Sequence, residues 1–364
     1  MRLPAAQQPG TEAKRVLIYR IGSLGDTLVS LPAMSVVARA FPHAERRLLT
    51  NFPIAQKAPA SAAVFENTGL IHSYERYEIG LRNPLRLLGL VWRLRRWKPD
   101  LLVYLSPARG VEVAKRDAMF FRVAGLRRMI GIPLTEDMQK VRPLRGGLLE
   151  REGDRLTRTI AELGPPEAGS WRLQFSEEER ARAGKVLHDL GDMPFFAISL
   201  GTKVQTNEWG LENWKTLLGK LAAAFPSHAL VITGAKDDFA NSEYVAEGWR
   251  AASSVPTLNL CGTISPRESG AVFARARLYL GHDSGPLHLA AASGVQCIGI
   301  FSARNPAGMW WPYGEGHRIL YHPVSCSPCG LNVCIAEGKR CILSISVDEV
   351  LETVRAAMAE RGDR

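Results

Sequence analysis

Short apolar runs alternate with segments of helical periodicity along most of the chain. The run "KRVLIYR" (14–20) is typical of a strand buried on both faces, and "GDTLVSLPAMSVVARAFP" (25–42) then places apolar residues at helical spacing. The alternation continues through "DLLVYLS" (100–106) and restarts with "FFAISLG" (195–201). Repeated strand–helix alternation predicts parallel sheets wrapped by helices.

The stretch "GPPEAGSWRLQFSE" (165–178) breaks this alternation with turn-forming residues and predicts a linker between two α/β domains. Open sheets of this kind bind ligands outside the carboxyl ends of their strands. The final helix, predicted over 347–361, could return and pack on the first domain. The predicted divisions are a disordered leader at 1–13, a first domain at 14–170, a second at 171–345, and a C-terminal helix at 346–364.

Length and composition fit a two-domain globular protein. The chain has 364 residues, of which 46% are hydrophobic and 23% charged. Its first residues lack the apolar core of a signal peptide, and no apolar stretch reaches the roughly 18 residues of a membrane span. We therefore expect a cytoplasmic protein whose six cysteines do not form structural disulfides.

The net charge of +10 predicts an anionic partner. Three classes of partner carry such charge: nucleic acids, phospholipid surfaces and phosphorylated small molecules. No helix-turn-helix pattern and no aromatic RNA-binding signature accompany the charge, so we expect no nucleic acid partner.

Two strand-to-helix turns carry the candidate chemistry. "RIGSLGDTLVSLPAM" (20–34) places Asp26 at the start of a helix, where a carboxylate is either a cap or a catalytic base. "LYLGHDSGPLHLAAASG" (278–294) begins a helix after Asp283, and such a start either is an ordinary capped turn or binds a phosphate. Each domain has one such turn, and we expect both to face one cleft. A carboxylate on one side and a phosphate site on the other would suit the transfer of a group from a nucleotide diphosphate donor.

Together, "YRIGSLGDTLVSLPA" and "GHDSGPLHLAAASGVQCIGIFSARNPAGMWWPYG" resemble the motifs of glycosyltransferase family 9, which includes the ADP-heptose:lipopolysaccharide heptosyltransferases. The similarity covers most of residues 14–345. It implies a GT-B fold, with two Rossmann-like doubly wound domains facing a central cleft. It also implies transfer with inversion and no catalytic metal.

The resemblance also implies roles for single residues. Asp26 matches the proposed catalytic base, and Asp283 the aspartate that contacts the donor sugar. The remaining expected donor contacts are Gly201, Thr202, Lys203, Asp237 (or its neighbour Asp238), Ser284, Gly285 and His288. The expected acceptor contacts are Arg20, Ser23, Arg109 and Lys115.

One position departs from the family pattern. In "GTKVQTNEWGLENW" (201–214), Asn207 stands where many relatives carry a lysine that neutralises the donor phosphates. Lys203 is a candidate substitute if the loop folds back. The change puts donor affinity and donor identity in question.

Four cysteines lie within "CSPCGLNVCIAEGKRC", at Cys326, Cys329, Cys334 and Cys341. This composition predicts a structural thiolate site for zinc or iron, of the kind that iron-holding protein heptosyltransferases resembling this family carry. The alternatives are reduced thiols in a loop, or disulfides formed on oxidation.

The segment "NPLRLLGLVWRLRRWKPD" (83–100) predicts a basic amphipathic helix with two tryptophans. Such a helix either covers the sheet with a solvated outer face or docks on an anionic membrane. Docking would suit a lipid-linked acceptor met at the cytoplasmic face of the inner membrane.

The sequence thus predicts an inverting glycosyltransferase that moves a heptose from ADP-heptose to a lipopolysaccharide core or a related glycan or protein acceptor. Two alternatives remain. A sugar-nucleotide epimerase or hydrolase of the same architecture would consume the donor without an acceptor. A non-catalytic nucleotide-sugar-binding protein would bind it without turnover.

Overall fold

The computed structural model describes residues 13–52, 61–78 and 83–362. The chain divides into two compact units, Met1–Trp171 and Arg172–Arg364, and the division lies inside the predicted linker. Residues 1–12 of the predicted leader lie outside the described residues. Within the described residues, no helix combines the length and apolar character that a bilayer span requires.

The sheet of the N-terminal unit is parallel throughout, in the order β3–β2–β1–β4–β5. Its strands are β1 (Arg15–Tyr19), β2 (Glu45–Asn51), β3 (Ser73–Tyr77), β4 (Leu101–Tyr104) and β5 (Met129–Ile130). Successive strands run outward from β1 in one direction and then from β4 in the other. The topological switch point, where open α/β sheets bind ligands, therefore lies between β1 and β4.

The helices of this unit are α1 (Leu24–Val29), α2 (Leu31–Ala40), α3 (Ala62–Phe65), α4 (Pro84–Trp97), α5 (Val111–Val123), α6 (Glu136–Gln139) and α7 (Glu152–Thr159). The single helix predicted over 25–42 is two helices, with Ser30 between them. Pro32 lacks the N–H that a continuous helix would donate to Leu28, which explains the break.

Helices α4 and α5 cover one face of the N-terminal sheet. Leu90, Leu94 and Trp97 of α4 share a buried cluster with Ala118 and Phe121 of α5. Helix α4 begins where the Asn83 side chain accepts a hydrogen bond from Leu85 N, and proline fills its first position, as a stable helix start favours. This part of the predicted basic helix is therefore confirmed as a sheet-covering element.

The C-terminal unit has a six-stranded parallel sheet in the order β11–β10–β9–β6–β7–β8. Its strands are β6 (Phe195–Ser199), β7 (Ala229–Ile232), β8 (Thr257–Asn259), β9 (Leu278–His282), β10 (Cys297–Phe301) and β11 (Arg318–Tyr321). Its helices are α8 (Glu177–Val186), α9 (Leu211–Ala224), α10 (Phe239–Ala252), α11 (Pro266–Phe273), α12 (Gly285–Ala292), α13 (Arg340–Leu343) and α14 (Val347–Glu360). The order reverses between β6 and β9, which is the switch point of this sheet.

The last helix, α14, packs within the C-terminal unit. Its buried residues Val350 and Val354 share a core cluster with Leu217 and Leu221 of α9. The packing that the structure shows for this helix is thus in the C-terminal unit, whereas the sequence suggested the first domain. Its apolar stripe completes the core against α9, which lies in the same unit.

Candidate functional site

Asp26 lies at the switch point of the N-terminal sheet, two residues into α1 and just after β1. Its Oδ2 atom accepts hydrogen bonds from Ser23 N at 2.7 Å and Ser23 Oγ at 2.8 Å. Its Oδ1 atom lies 3.7 Å from Arg20 Nη2, and the side chain is 24% exposed. One carboxylate oxygen is thus anchored, while the other is available to a ligand hydroxyl.

Gly22 allows the close approach of this turn to Asp26. A Cβ atom at Gly22 would lie 2.3 Å from the Asp26 Cβ, and the Gly22 φ angle of +148° is one that other residues rarely adopt. The Gly22 amide also donates to Asn51 Oδ1 at the end of β2. The turn is therefore fixed from two neighbouring strands before any ligand binds.

Arg20, predicted to contact the acceptor, is instead buried behind Asp26. Its guanidinium donates to the Asp26 carbonyl oxygen (2.6 Å from Nη2) and to the Leu105 carbonyl oxygen (2.9 Å). Burial is the main cause that lowers the pKa of Arg20, and the charges of Asp26 and Glu152 oppose it. Its donors point into the protein, so Arg20 holds the Asp26 turn and the acceptor role is withdrawn.

Ser23 was also predicted to contact the acceptor. Its hydroxyl donates to Asp26, as described above, so in this conformation it orients the carboxylate.

Glu152 and Arg155 of α7 complete this buried charge network, and the sequence analysis did not identify them. Arg155 binds both Glu152 oxygens, at 2.7 and 2.8 Å, and both side chains are about 2% exposed or less. Glu152 also lies 3.8 Å from Arg20. The i,i+3 spacing of the pair was visible in the sequence, but its burial depends on packing against the distant end of β4, where Arg155 donates to the Ser106 carbonyl oxygen.

Arg109 lies beside the same sheet edge, within a small polar cluster. It donates to Asp117 Oδ2 at 2.6 Å and to the Tyr104 hydroxyl at 3.0 Å, and its side chain is 30% exposed. Burial and the Asp117 charge raise the pKa of Tyr104 to about 12, so its phenol stays protonated and donates to Asp117. Asp117 and Tyr104 thus hold the Arg109 guanidinium in one orientation, and the side chain remains accessible to a ligand. Lys115 pairs with Glu112 on the exposed side of α5.

The C-terminal unit has a cavity of about 260 Å³ at the carboxyl edge of its sheet. Gly201 and Thr202, two predicted donor contacts, line it after β6. Asp238 also lines the cavity, whereas Asp237 is exposed beside it. A Cβ atom at Gly201 would lie 2.5 Å from Asp238 Oδ2, so glycine permits this carboxylate to pack against the end of β6.

The start of α12 follows β9 at the switch point of this sheet. Asp283, Ser284 and Gly285 are partly exposed there, and His288 is buried one turn further on. The Ser284 hydroxyl has no protein hydrogen-bond partner among the described residues. Free amides at the start of this eight-residue helix favour an anion.

Asn207 occupies the position of the family lysine, and its side chain is committed to the fold. Its Nδ2 donates to the Asp283 carbonyl oxygen at 2.9 Å, and its Oδ1 accepts from Ser302 Oγ at 2.5 Å. Asn207 is buried and therefore braces the turn that carries Asp283. Lys203 is exposed and does not line the cavity, so the structure does not bring it into the lysine's place.

His282, which the sequence analysis did not assign, organises one wall of the cavity. Its Nε2 accepts from Trp214 Nε1 at 3.0 Å and Trp209 N at 3.3 Å, while Nδ1 lies 3.1 Å from the Leu200 carbonyl oxygen. Burial lowers the pKa of His282 to about 4. The neutral imidazole therefore fixes the two tryptophans and the end of β6, which is a structural role.

The four clustered cysteines all line one small cavity, of about 10 Å³, and none forms a disulfide. In the part of the chain that the structure describes, however, no three His, Cys, Asp or Glu side chains are arranged to hold a metal ion. The cysteine loop is tied to the segment between β6 and α9: Cys334 N donates to Gln205 Oε1, and Lys339 Nζ donates to the Glu208 carbonyl oxygen at 3.0 Å.

Residues 151–339 match the family model described as glycosyltransferase family 9 (heptosyltransferase). The chain is 25% identical over 335 residues to lipopolysaccharide heptosyltransferase 1 of Pseudomonas aeruginosa, covering 88% of this chain and 87% of that protein.

Two solved structures share the fold. A family 9 glycosyl transferase from Veillonella parvula superposes with a TM-score of 0.72 at 19% identity, covering 95% of this chain and 98% of that one. The E. coli heptosyltransferase WaaC, solved with ADP-2-deoxy-2-fluoro heptose, superposes with a TM-score of 0.58 at 17% identity, covering 94% and 99%. The predicted GT-B class, with two Rossmann-like parallel-sheet domains, is confirmed.

Proposed function

Because the chain belongs to glycosyltransferase family 9, we propose that this glycosyltransferase moves a heptose from ADP-heptose to a lipopolysaccharide core or related acceptor, with inversion. The observation that carries the donor assignment is the cavity at the switch point of the C-terminal sheet, whose wall includes His282 at the end of β9, directly before the turn that begins α12. Relatives named as heptosyltransferases, one of them solved with an ADP-heptose analogue, support the choice of nucleotide and sugar.

In this proposal Asp26 is the catalytic base. Its Oδ1, which accepts no hydrogen bond from the described residues, takes the proton of the acceptor hydroxyl as that hydroxyl oxygen bonds to the anomeric carbon of the heptose. The bond from the anomeric carbon to the diphosphate breaks, and ADP leaves with both electrons. The amides and hydroxyl at the start of α12 stabilise the charge that develops on the leaving diphosphate.

Arg109 is the proposed acceptor contact that the geometry supports best, because it is oriented by Asp117 and still accessible. A guanidinium suits the phosphates of a lipopolysaccharide core. Lys115 is retained as a weaker acceptor contact on α5. We place the enzyme in the cytoplasm and against the inner face of the inner membrane, where a lipid-linked acceptor would be met.

Calorimetric titration with ADP-heptose, ADP and UDP-sugars tests the donor assignment. We expect ADP-heptose to bind and Asp283→Ala to weaken its binding by about tenfold or more, because a hydrogen bond to a charged group is worth about 1.5–3 kcal/mol. Asp237→Ala is the matched control: in this proposal the acidic donor contact is its neighbour Asp238, which lines the cavity, whereas Asp237 is exposed and belongs neither to the cavity nor to the turn that begins α12. Binding of none of these nucleotides would withdraw the heptosyltransferase assignment.

We also propose that Cys326, Cys329, Cys334 and Cys341 close around a structural zinc or iron ion. Their shared cavity is roughly the size of one small occupant, and thiolates are suitable ligands for both metals. No catalytic step depends on this ion. Elemental analysis of the purified protein tests the site, and a chain that carries neither metal contradicts it.

A further inference from the structure

Helix α4 has two apolar faces, and one of them is exposed. Leu90, Leu94 and Trp97 are buried against the sheet. On the opposite side Leu85 is 76% exposed, Leu88 61% and Trp92 59%. An ordinary sheet-covering helix has polar side chains on its outer face, so this second stripe is not explained by the fold.

The exposed stripe continues onto the neighbouring helix. Met119 and Val123 of α5 are 58% and 49% exposed, and they lie one turn apart on that helix. Arg95 Nε of α4 donates to the Val123 carbonyl oxygen at 3.0 Å, which joins the C-terminal ends of the two helices. We name this the outer α4–α5 surface, formed by Leu85, Leu88, Trp92, Met119 and Val123 with the arginines around them.

The charge around this surface is positive. Helix α4 contains four arginines and no acidic residue. Arg86 and Arg93 pair with Glu78 and Glu75, each at 2.7 Å. Within the described residues, Arg95 and Arg96 pair with no carboxylate, and the Arg96 guanidinium lies 5.3 Å from the centre of the Trp92 ring.

We propose that the outer α4–α5 surface docks this enzyme on an anionic bilayer. Leucine, methionine and tryptophan side chains enter the boundary between headgroups and acyl chains, and the arginines meet lipid phosphates. The choice of a membrane as partner rests on the proposed function, because a lipid-linked acceptor lies there. A protein partner would be expected to offer carboxylates for these arginines, and a second copy of this basic surface would repel the first.

The position of α4 in the fold agrees with this role. A crossover helix runs antiparallel to the strands of its sheet, so the first turns of α4 lie toward the carboxyl edge of the strands. Leu85 and Leu88 are in those turns, and Asp26 follows β1 at the same edge. Docking through α4 therefore keeps the catalytic carboxylate of this unit near the lipid surface.

Vesicle flotation tests the proposal without donor or acceptor, so its outcome is independent of the proposed reaction. The probe is a set of vesicles made of equal parts phosphatidylglycerol and phosphatidylcholine, compared with vesicles of phosphatidylcholine alone. We expect binding to the anionic vesicles that decreases as the salt is raised from about 0.1 to about 0.5 M.

The triple variant Leu85→Gln, Leu88→Gln, Trp92→Gln should lose about tenfold or more of that binding. Its three side chains are exposed, so the fold should tolerate the changes, and a circular dichroism melt checks this. The matched control is Leu331→Gln, Val333→Gln, Ile335→Gln, which removes three equally apolar and exposed side chains from the cysteine loop.

Anionic-vesicle binding that the helix variant loses and the loop variant keeps supports the proposal. Equal binding by wild type and helix variant overturns it. So does the absence of vesicle binding together with self-association that the helix variant abolishes, because the surface would then join two copies of the chain.

Discussion

Asp26→Asn should lower the turnover number by about 10²–10⁴-fold, because an amide does not accept the proton of the acceptor hydroxyl. The substitution keeps the shape of the side chain, and the amide oxygen still accepts the two hydrogen bonds from Ser23. Affinity for ADP-heptose should stay unchanged, since the proposed donor residues belong to the C-terminal unit. Steady-state kinetics and calorimetry on the same preparation measure both quantities.

Glu268→Gln is the control for this experiment. Glu268 occupies the same third position of a helix as Asp26, and it likewise accepts from the backbone N–H of the preceding serine cap, Ser265. Its substitution changes a helix cap without touching the proposed base, so turnover should remain that of the wild type. If Asp26→Asn retains turnover within about tenfold of wild type, Asp26 is a cap and not the base.

Glu152→Gln should destabilise the protein by about 3–5 kcal/mol, because it leaves Arg155 buried without its counter-charge and removes one of the two carboxylates near Arg20. We expect a clear decrease in the urea concentration at the unfolding midpoint, followed by circular dichroism. The same variant should lower turnover, because Arg20 holds the Asp26 turn through the Asp26 carbonyl oxygen.

Glu352→Gln is the matched control for burial. Glu352 and Arg355 have the same residue types and the same i,i+3 spacing as Glu152 and Arg155, but their side chains are 66% and 51% exposed. An exposed pair contributes about 0–1 kcal/mol, so this variant should unfold almost like the wild type. Equal losses in the two variants would show that the buried network does not carry the predicted stability.

The fold was predictable from local patterns. The strands of both sheets are short apolar runs, and the buried β1 and β6 coincide with "KRVLIYR" and "FFAISLG". The two candidate turns were visible for the same reason, because each follows such a run and begins a helix. Asp26 follows β1 and Asp283 follows β9, and the strand order places both residues at the switch points of their sheets.

Contacts between distant parts of the chain were not predictable. The sequence predicted Arg20 as an acceptor contact beside Asp26. In the structure its guanidinium is buried, where it donates to the Leu105 carbonyl oxygen and lies near Glu152. The sequence showed Asn207 only as the replacement of a family lysine. In the structure its side chain donates to the Asp283 carbonyl oxygen and accepts from Ser302, so it supports the turn that carries Asp283. A single sequence does not record which side chains meet across such separations, so their roles appeared only with the packing.

The most direct test of the proposed activity is product analysis after incubation with ADP-heptose, with and without a purified lipopolysaccharide core acceptor. We predict ADP and glycosylated acceptor in equal amounts, with the anomeric configuration inverted, and little donor consumed when the acceptor is absent. Free heptose released equally with and without acceptor, or an epimerised sugar nucleotide, would contradict a glycosyl transfer from this donor.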